Sequence, residues 1–119
     1  MNFSEVLKDV TDEVMGAKSS FIAGMDGIIV EEFSVDPGGI DISSVCAEYG
    51  NILKEVQNAA DSLRMGNTTE LAVLTDTVDL ILRKINDEYF IALVMLPSGN
   101  FGKGRFKVRT AAYKLSKEF

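Results

Sequence analysis

The fold of this chain is decided by the stretch Phe21-Ile22-Ala23-Gly24-Met25-Asp26-Gly27-Ile28-Ile29-Val30, in which an Asp-Gly pair separates two apolar runs. Asp-Gly accepts the positive φ values of a tight hairpin turn, and the apolar flanks favour strands. The stretch therefore predicts a β-hairpin over about residues 19–35. A strong break follows at Asp36-Pro37-Gly38-Gly39.

The composition is that of one ordinary globular domain over residues 1–119. Hydrophobic residues make up 46% of the chain and charged residues 25%, which is a folded rather than a disordered balance. The net charge is −6, so the chain is not expected to bind nucleic acid. Six basic residues and one acid lie between Gly102 and Phe119, so this end carries +5 and the rest −11. This asymmetry indicates a polarised surface, or a helix that docks on its own acidic sheet.

The residue types that most enzymes need are scarce. The chain has no histidine, the commonest general base and metal ligand, and its single cysteine, Cys46, excludes an intramolecular disulfide. The N-terminus does not resemble a signal peptide, and the longest apolar run, residues 89–96, is far too short to span a membrane as a helix. We therefore expect a soluble cytoplasmic protein without a cofactor or a metal, and not an enzyme.

The remaining pattern predicts three helices and three further strands. A first helix begins near Asn2, which forms a capping-box pattern with Glu5, and Gly16 is a plausible stop. Strands are expected over residues 71–75, 78–85 and 89–96, the last of them central because it is apolar throughout. A last helix is expected over about residues 104–117. The predicted fold is α+β, a five-stranded antiparallel sheet flanked by helices, in the order α-β-β-α-β-β-β-α.

The helix predicted over residues 42–64 has the clearest pattern, with Asp41 as its N-cap and Gly66 at its close. Its apolar residues fill an arc of about 140°, whereas a single sheet contact needs about 100°. One half of the stripe comprises Ile42, Cys46, Tyr49, Leu53, Val56 and Ala60, and a surplus flank comprises Val45, Ile52, Ala59 and Leu63. Either this helix lies deep in its own core, or the flank contacts another surface.

Three other features could carry chemistry, but each is better explained structurally. The glycine-rich loop at residues 99–104 could hold an anion, yet its spacing is not that of a P-loop, which favours a strand-to-helix turn. The carboxylate pairs Asp76/Asp79 and Glu31/Glu32 have no histidine or reactive cysteine near them in sequence. Cys46 lies among apolar residues, where a thiol is inert.

Several of these stretches resemble the roadblock (dynein light chain) domain family, in its MglB-like form. The hairpin at residues 21–30 is similar to the family's Asp-Gly-hydrophobic hairpin. Residues 71–75 and 79–85 are similar to its third and fourth strands. Asn100-Phe101-Gly102 with Arg105 resembles its loop into the last helix. The similarity covers nearly the whole chain.

The resemblance implies a dimer in which third strands pair across a twofold axis and second helices lie side by side, without deciding between a homodimer and a heterodimer. It also implies that members bind small Ras-like GTPases or other scaffold partners, and that the MglB-like type stimulates its GTPase without supplying a catalytic residue. The expected dimer interface comprises Val45, Ile52, Ala59, Leu63, Leu71, Val73 and Thr75. The partner is expected on Glu48, Asn51 and Glu55 of the same helix.

Two functions follow as alternatives. The leading one is a non-catalytic dimeric regulator, preferably a homodimer, that binds a small Ras-like GTPase and modulates its nucleotide cycle. The other is a small-molecule sensor domain of the profilin-like or PAS-like type, which needs an interior cavity. The closely spaced apolar residues of the second helix favour a filled core, and thus the regulator.

The dimer hypothesis predicts the effect of new charges at two positions. A charged residue at Ile52 on the helix, or at Val73 on the third strand, should weaken the dimer because it would be desolvated in the interface. Size-exclusion chromatography with multi-angle light scattering measures this directly. If Val73→Lys remained dimeric, the assignment of this strand to the interface would be wrong.

Overall fold

The computed structural model describes residues 2–36 and 39–119, so Pro37 and Gly38 of the expected break lie outside the described residues. The elements follow in the predicted order: α1 (Phe3–Asp12), β1 (Ala17–Gly24), β2 (Ile29–Ser34), α2 (Ile42–Ser62), β3 (Glu70–Leu74), β4 (Asp79–Lys84), β5 (Tyr89–Met95) and α3 (Phe101–Leu115). The five strands form one antiparallel sheet in the order β2-β1-β5-β4-β3. The predicted fold class is therefore confirmed.

The central position of β5 is also confirmed, and it explains the two-sided core. Alternate side chains of this strand enter different clusters, because successive residues of a strand point to opposite faces. Phe90, Ala92 and Val94 pack in the cluster on the α2 side. Ile91, Leu93 and Met95 pack in the cluster on the side of α1 and α3.

The hairpin forms as predicted, but its turn is longer than the two-residue type. Gly27 has a φ of +88°, whereas Asp26 does not take a positive φ. The Gly27 N–H donates to the Gly24 carbonyl at 3.0 Å, and the Gly24 N–H donates to the Ile28 carbonyl at 2.9 Å. Asp26 instead uses its carboxylate, which accepts from the Ile28 N–H at 3.1 Å. The glycine thus supplies the left-handed residue and the aspartate supplies a side-chain bond.

Both predicted N-caps are present. The Asn2 side chain accepts from the Glu5 N–H at 3.2 Å, and Asp41 accepts from Ser43 and Ser44. Helix α3 begins three residues earlier than expected. The side chain of Asn100 accepts from the Lys103 N–H at 3.0 Å and caps this extra turn.

The C-terminal end of α2 differs from the prediction, which placed the capping glycine of this helix at Gly66. Arg64 takes the left-handed conformation, with a φ of 55°, two residues earlier. The Met65 N–H donates to the Ala60 carbonyl at 2.8 Å and the Arg64 N–H to the Asp61 carbonyl at 3.2 Å. These two bonds form a Schellman motif with an arginine at the position that usually holds glycine. Gly66, with a φ of +95°, belongs to the connection that follows.

This helix end generates a paired stability prediction. Arg64→Gly should raise the free energy of unfolding by about 0.5–1 kcal/mol, because glycine adopts the left-handed conformation without a Cβ penalty. Gly66→Ala should lower it by about 1 kcal/mol through backbone strain alone, since a Cβ at Gly66 meets no atom within 4 Å. Urea denaturation of both variants tests this, and a destabilised Arg64→Gly would refute the motif.

Candidate interaction surface

Helix α2 has one tethered side and one open side. The side-chain carbonyl of Gln57 accepts from the Thr68 N–H at 2.8 Å and from the Lys84 ammonium at 3.4 Å. The Cys46 thiol donates to the Gly27 carbonyl at 3.4 Å. These contacts hold the helix against the hairpin and against the strands that follow it. The opposite side of α2 carries the surplus apolar flank and has no comparable tether among the described residues.

The two halves of the apolar stripe differ in exposure. Ile42, Cys46, Leu53 and Ala60 of the inner half are buried against the sheet, and Tyr49 and Val56 are half-buried. Within the flank, Val45 is half-buried, Ala59 is exposed, Ile52 is 36% exposed and Leu63 is 71% exposed. The single chain therefore leaves much of this flank uncovered.

The thiol of Cys46 is held within the core, as predicted. Burial is the main cause that raises its pKa above the usual range, and the nearby charge of Asp26 raises it further. A thiol in this state is largely protonated at neutral pH and is a poor nucleophile. Cys46 therefore packs and tethers α2, and its surroundings do not activate it.

Strand β3 lies at one edge of the sheet and carries the other expected interface residues. Leu71 and Val73 are half-buried and pack in the cluster on the α2 side. Thr75 lies one residue beyond the strand, which begins and ends one residue earlier than predicted. Its hydroxyl donates to the Val78 carbonyl at 2.7 Å and accepts from the Val78 N–H at 3.0 Å. Thr75 therefore closes the turn between β3 and β4.

The backbone of β3 is open on its outer side. The Lys84 N–H donates to the Thr69 carbonyl and the Thr75 N–H donates to the Val78 carbonyl, both at 3.0 Å. In an antiparallel ladder, alternate residues bond to the same neighbour. Residues 69, 71, 73 and 75 therefore face β4, and the backbone groups of Glu70, Ala72 and Leu74 face outward. An unprotected edge of this kind can accept another strand.

The other sheet edge, β2, is less suited to such pairing. It carries Glu31 and Glu32 in succession, and its pairing with β1 has an irregular register between Ile22 and Ala23. Charges and bulges are the devices by which edge strands avoid other chains. Strand β3 has a single charge, Glu70, at its first position.

Glu70 forms ion pairs within its own chain, which the sequence pattern did not reveal. Its carboxylate lies 3.4 Å from the Arg83 guanidinium and 2.6 Å from that of Arg105. Arg83 lies opposite Glu70 in the β3–β4 register, whereas Arg105 comes from α3. An ion pair thus links the edge strand to α3, on the α1/α3 side of the sheet.

The residues expected to contact a partner lie on the outer surface of α2. Glu48, Asn51 and Glu55 are all exposed. Their spacing at three and four residues places them on one side of the helix, next to the exposed residues of the flank. The surface combines two negative charges with an amide and borders an apolar strip.

The other candidate sites have structural explanations. Within the glycine-rich loop, Gly99 packs so closely on the Met15–Gly16 turn that an added Cβ would lie 2.3 Å from the Met15 carbonyl. Glu31 and Glu32 are adjacent in β2, so their side chains point to opposite faces. Asp79 is buried and Asp76 is exposed. The described residues contain no cluster of three potential metal ligands.

No helix in the described part of the chain is long and apolar enough to cross a membrane.

A helix on one face and two helices on the other face of this antiparallel sheet form the arrangement of a roadblock domain. The chain is 34% identical to MglC from Myxococcus xanthus over 100% of both chains, with a TM-score of 0.71. It therefore belongs to the roadblock family, in agreement with the MglB-like resemblance of its sequence.

Two further solved structures share the fold at low identity. A roadblock/LC7 domain from Streptomyces avermitilis has a TM-score of 0.86 at 11% identity, covering 99% of this chain and 98% of that one. An MglB structure with a tetrameric arrangement has a TM-score of 0.86 at 17% identity, covering 95% of this chain and 84% of that one. No family model matches the sequence, and the search of curated proteins finds no relative.

Proposed function

We propose that this protein is a non-catalytic dimeric adaptor that binds a small Ras-like GTPase and modulates its nucleotide cycle. The proposal rests on two surfaces of the same chain. The outward backbone groups of β3 can accept another strand, and the apolar flank of α2 is exposed to solvent. Membership of the roadblock family supports the same function, and so does the tetrameric arrangement of the MglB relative.

Pairing of β3 with its own copy has a defined geometry. Because the outward groups belong to Glu70, Ala72 and Leu74, a twofold antiparallel pair would be centred on Ala72. Glu70 would then lie opposite the Leu74 position of the second copy, and Leu71 opposite the Val73 position. Leu71 and Val73 lie on the α2 side of the sheet, so one twofold contact would join both the strands and the apolar flanks.

The exposed surface of α2 would then be present twice on the same side of a joined sheet. Glu48, Asn51 and Glu55 from each copy would border the apolar strip and form the GTPase platform. A regulator of this kind acts by positioning groups of the GTPase itself, which is consistent with a chain that has no histidine.

The sensor alternative has less support. Its ligand would need an interior cavity, but the space between α2 and the sheet is filled by Phe21, Leu53 and Phe90, all completely buried. The rings of Phe21 and Phe90 pack edge to face with centroids 6.0 Å apart.

The dimer geometry predicts a sharp effect of proline at Ala72. Ala72→Pro removes an outward N–H that makes no bond within the chain, so the monomer should fold while the dimer is lost. Light scattering after size-exclusion chromatography measures the mass, and circular dichroism monitors the fold. Ala72→Thr, which keeps the N–H and favours strands, is the matched control and should remain dimeric. A folded, fully dimeric Ala72→Pro protein would refute pairing through β3.

The GTPase role predicts a change in nucleotide turnover. GTP hydrolysis and nucleotide release by a Ras-like GTPase encoded beside this gene should change when the protein is added. The double variant Glu48→Lys/Glu55→Lys should abolish the change without affecting the dimer, because it reverses the charge of the platform alone. The double variant Glu5→Lys/Glu32→Lys reverses two exposed glutamates outside α2 and should act like the wild type. The absence of both binding and rate change with every co-encoded GTPase would eliminate this function.

A further inference from the structure

We propose that the outer face of α3 is a second docking surface, which binds an acidic peptide segment of a partner protein. We define this α3 outer face by Phe106, Arg109, Thr110 and Tyr113 of the helix, together with Lys117, which follows the helix and has its ammonium 4.6 Å from the centre of the Tyr113 ring. It lies on the opposite side of the sheet from α2, so it is separate from the proposed GTPase platform.

Two large aromatic side chains project from this face. Phe106 is 65% exposed and Tyr113 is 66% exposed. They are seven residues apart, which places them on the same side of the helix and about 10 Å apart along its axis. The side that packs on the sheet is formed by Gly104, Val108, Ala111, Ala112 and Leu115. Phe106 and Tyr113 are therefore not part of the core, and exposed aromatic pairs are typical of binding surfaces.

The charge on this helix is one-sided. Helix α3 contains no acidic residue, and two of its cations are already paired: Arg105 with Glu70, and Lys107 with Asp9 and Glu13. Arg109, which lies between the two aromatic residues, has no carboxylate within 4 Å in the part of the chain that the structure describes. The chain as a whole is acidic, with a net charge of −6. Its average composition therefore does not account for an unpaired cation beside two exposed aromatic rings.

The aromatic residues border a shallow, open groove. Ile85 and Ala112 contribute apolar surface, Phe106 and Tyr113 line it, and Arg109 adds a positive charge. Its volume is about 510 Å³, and none of the residues that line it is acidic. Arg83 and Lys84 line the same groove and are neutralised in part by Glu70 and Asp87. A groove of this kind fits one apolar side chain of a peptide whose neighbouring residues are Glu or Asp.

The same features disfavour other anionic partners. A membrane surface is attracted by clusters of four to eight cations, whereas this face has fewer unpaired cations and is concave. Nucleic acid would also meet the −11 charge of residues 1–101. A short acidic segment makes only local contact and avoids that repulsion.

The test uses the full-length protein and a fluorescein-labelled peptide of glutamates with two leucines at its centre. Fluorescence polarisation at 50 mM NaCl should show saturable binding that weakens at 300 mM NaCl. Arg109→Glu should weaken binding about tenfold, because one favourable ion pair is replaced by a repulsive one. The double variant Phe106→Ala/Tyr113→Ala should weaken it by a similar factor through loss of the apolar contact. All of these side chains are exposed, and circular dichroism checks that the variants fold.

The controls separate this surface from the GTPase platform. Lys54→Glu makes the same charge change on exposed α2 and should leave peptide affinity unchanged, while Arg109→Glu should leave the dimer mass and GTPase turnover unchanged. A glutamine version of the peptide should bind more weakly. The proposal is refuted if the acidic peptide does not bind, if Arg109→Glu binds it equally well, or if anionic vesicles or duplex DNA bind more tightly than the peptide.

Discussion

The structure depends on the burial of both faces of β5. Its alternate side chains belong to two different cores, so a helical layer is required on each side of the sheet. Two edges then remain, and they are unequal: β2 carries adjacent glutamates, whereas β3 is short and apolar after its first residue. Of these two edges, β3 is the one that the proposed pairing would use.

The proposed function is based on two surfaces that the single chain leaves exposed, the apolar flank of α2 and the outer side of β3. Internal contacts tether one side of α2, but no comparable contacts tether its apolar flank among the described residues. The β3 backbone is free on its outer side, while the Glu70 carboxylate fastens the strand to α3 through Arg105. An unpaired strand edge and an exposed apolar flank on the same chain are suited to the proposed self-association.

The two helical faces differ in charge, which is consistent with the two kinds of partner that we propose. The outer surface of α2 carries Glu48 and Glu55, whereas the α3 outer face carries Arg109 between Phe106 and Tyr113. Lys107 shows the other use of basic charge in α3: hydrogen bonds from its ammonium to Glu13 and Asp9 raise its pKa and join α3 to α1. Some cations of this helix thus stabilise the fold, whereas Arg109 pairs with no carboxylate of the described residues.

Periodicity and local residue patterns are enough to predict the order of elements, the two-faced central strand, the N-caps at Asn2 and Asp41, and the two halves of the α2 stripe. These features depend on periodicity and on residues close in sequence, which a linear pattern records. Three features became visible only in the folded chain: the outward backbone groups of β3, the ion pair of Glu70 with Arg105, and the use of Arg64 instead of Gly66 at the end of α2. Strand order and long-range ion pairs depend on residues far apart in sequence. The use of arginine in a left-handed cap depends on backbone hydrogen bonds that override the usual preference for glycine.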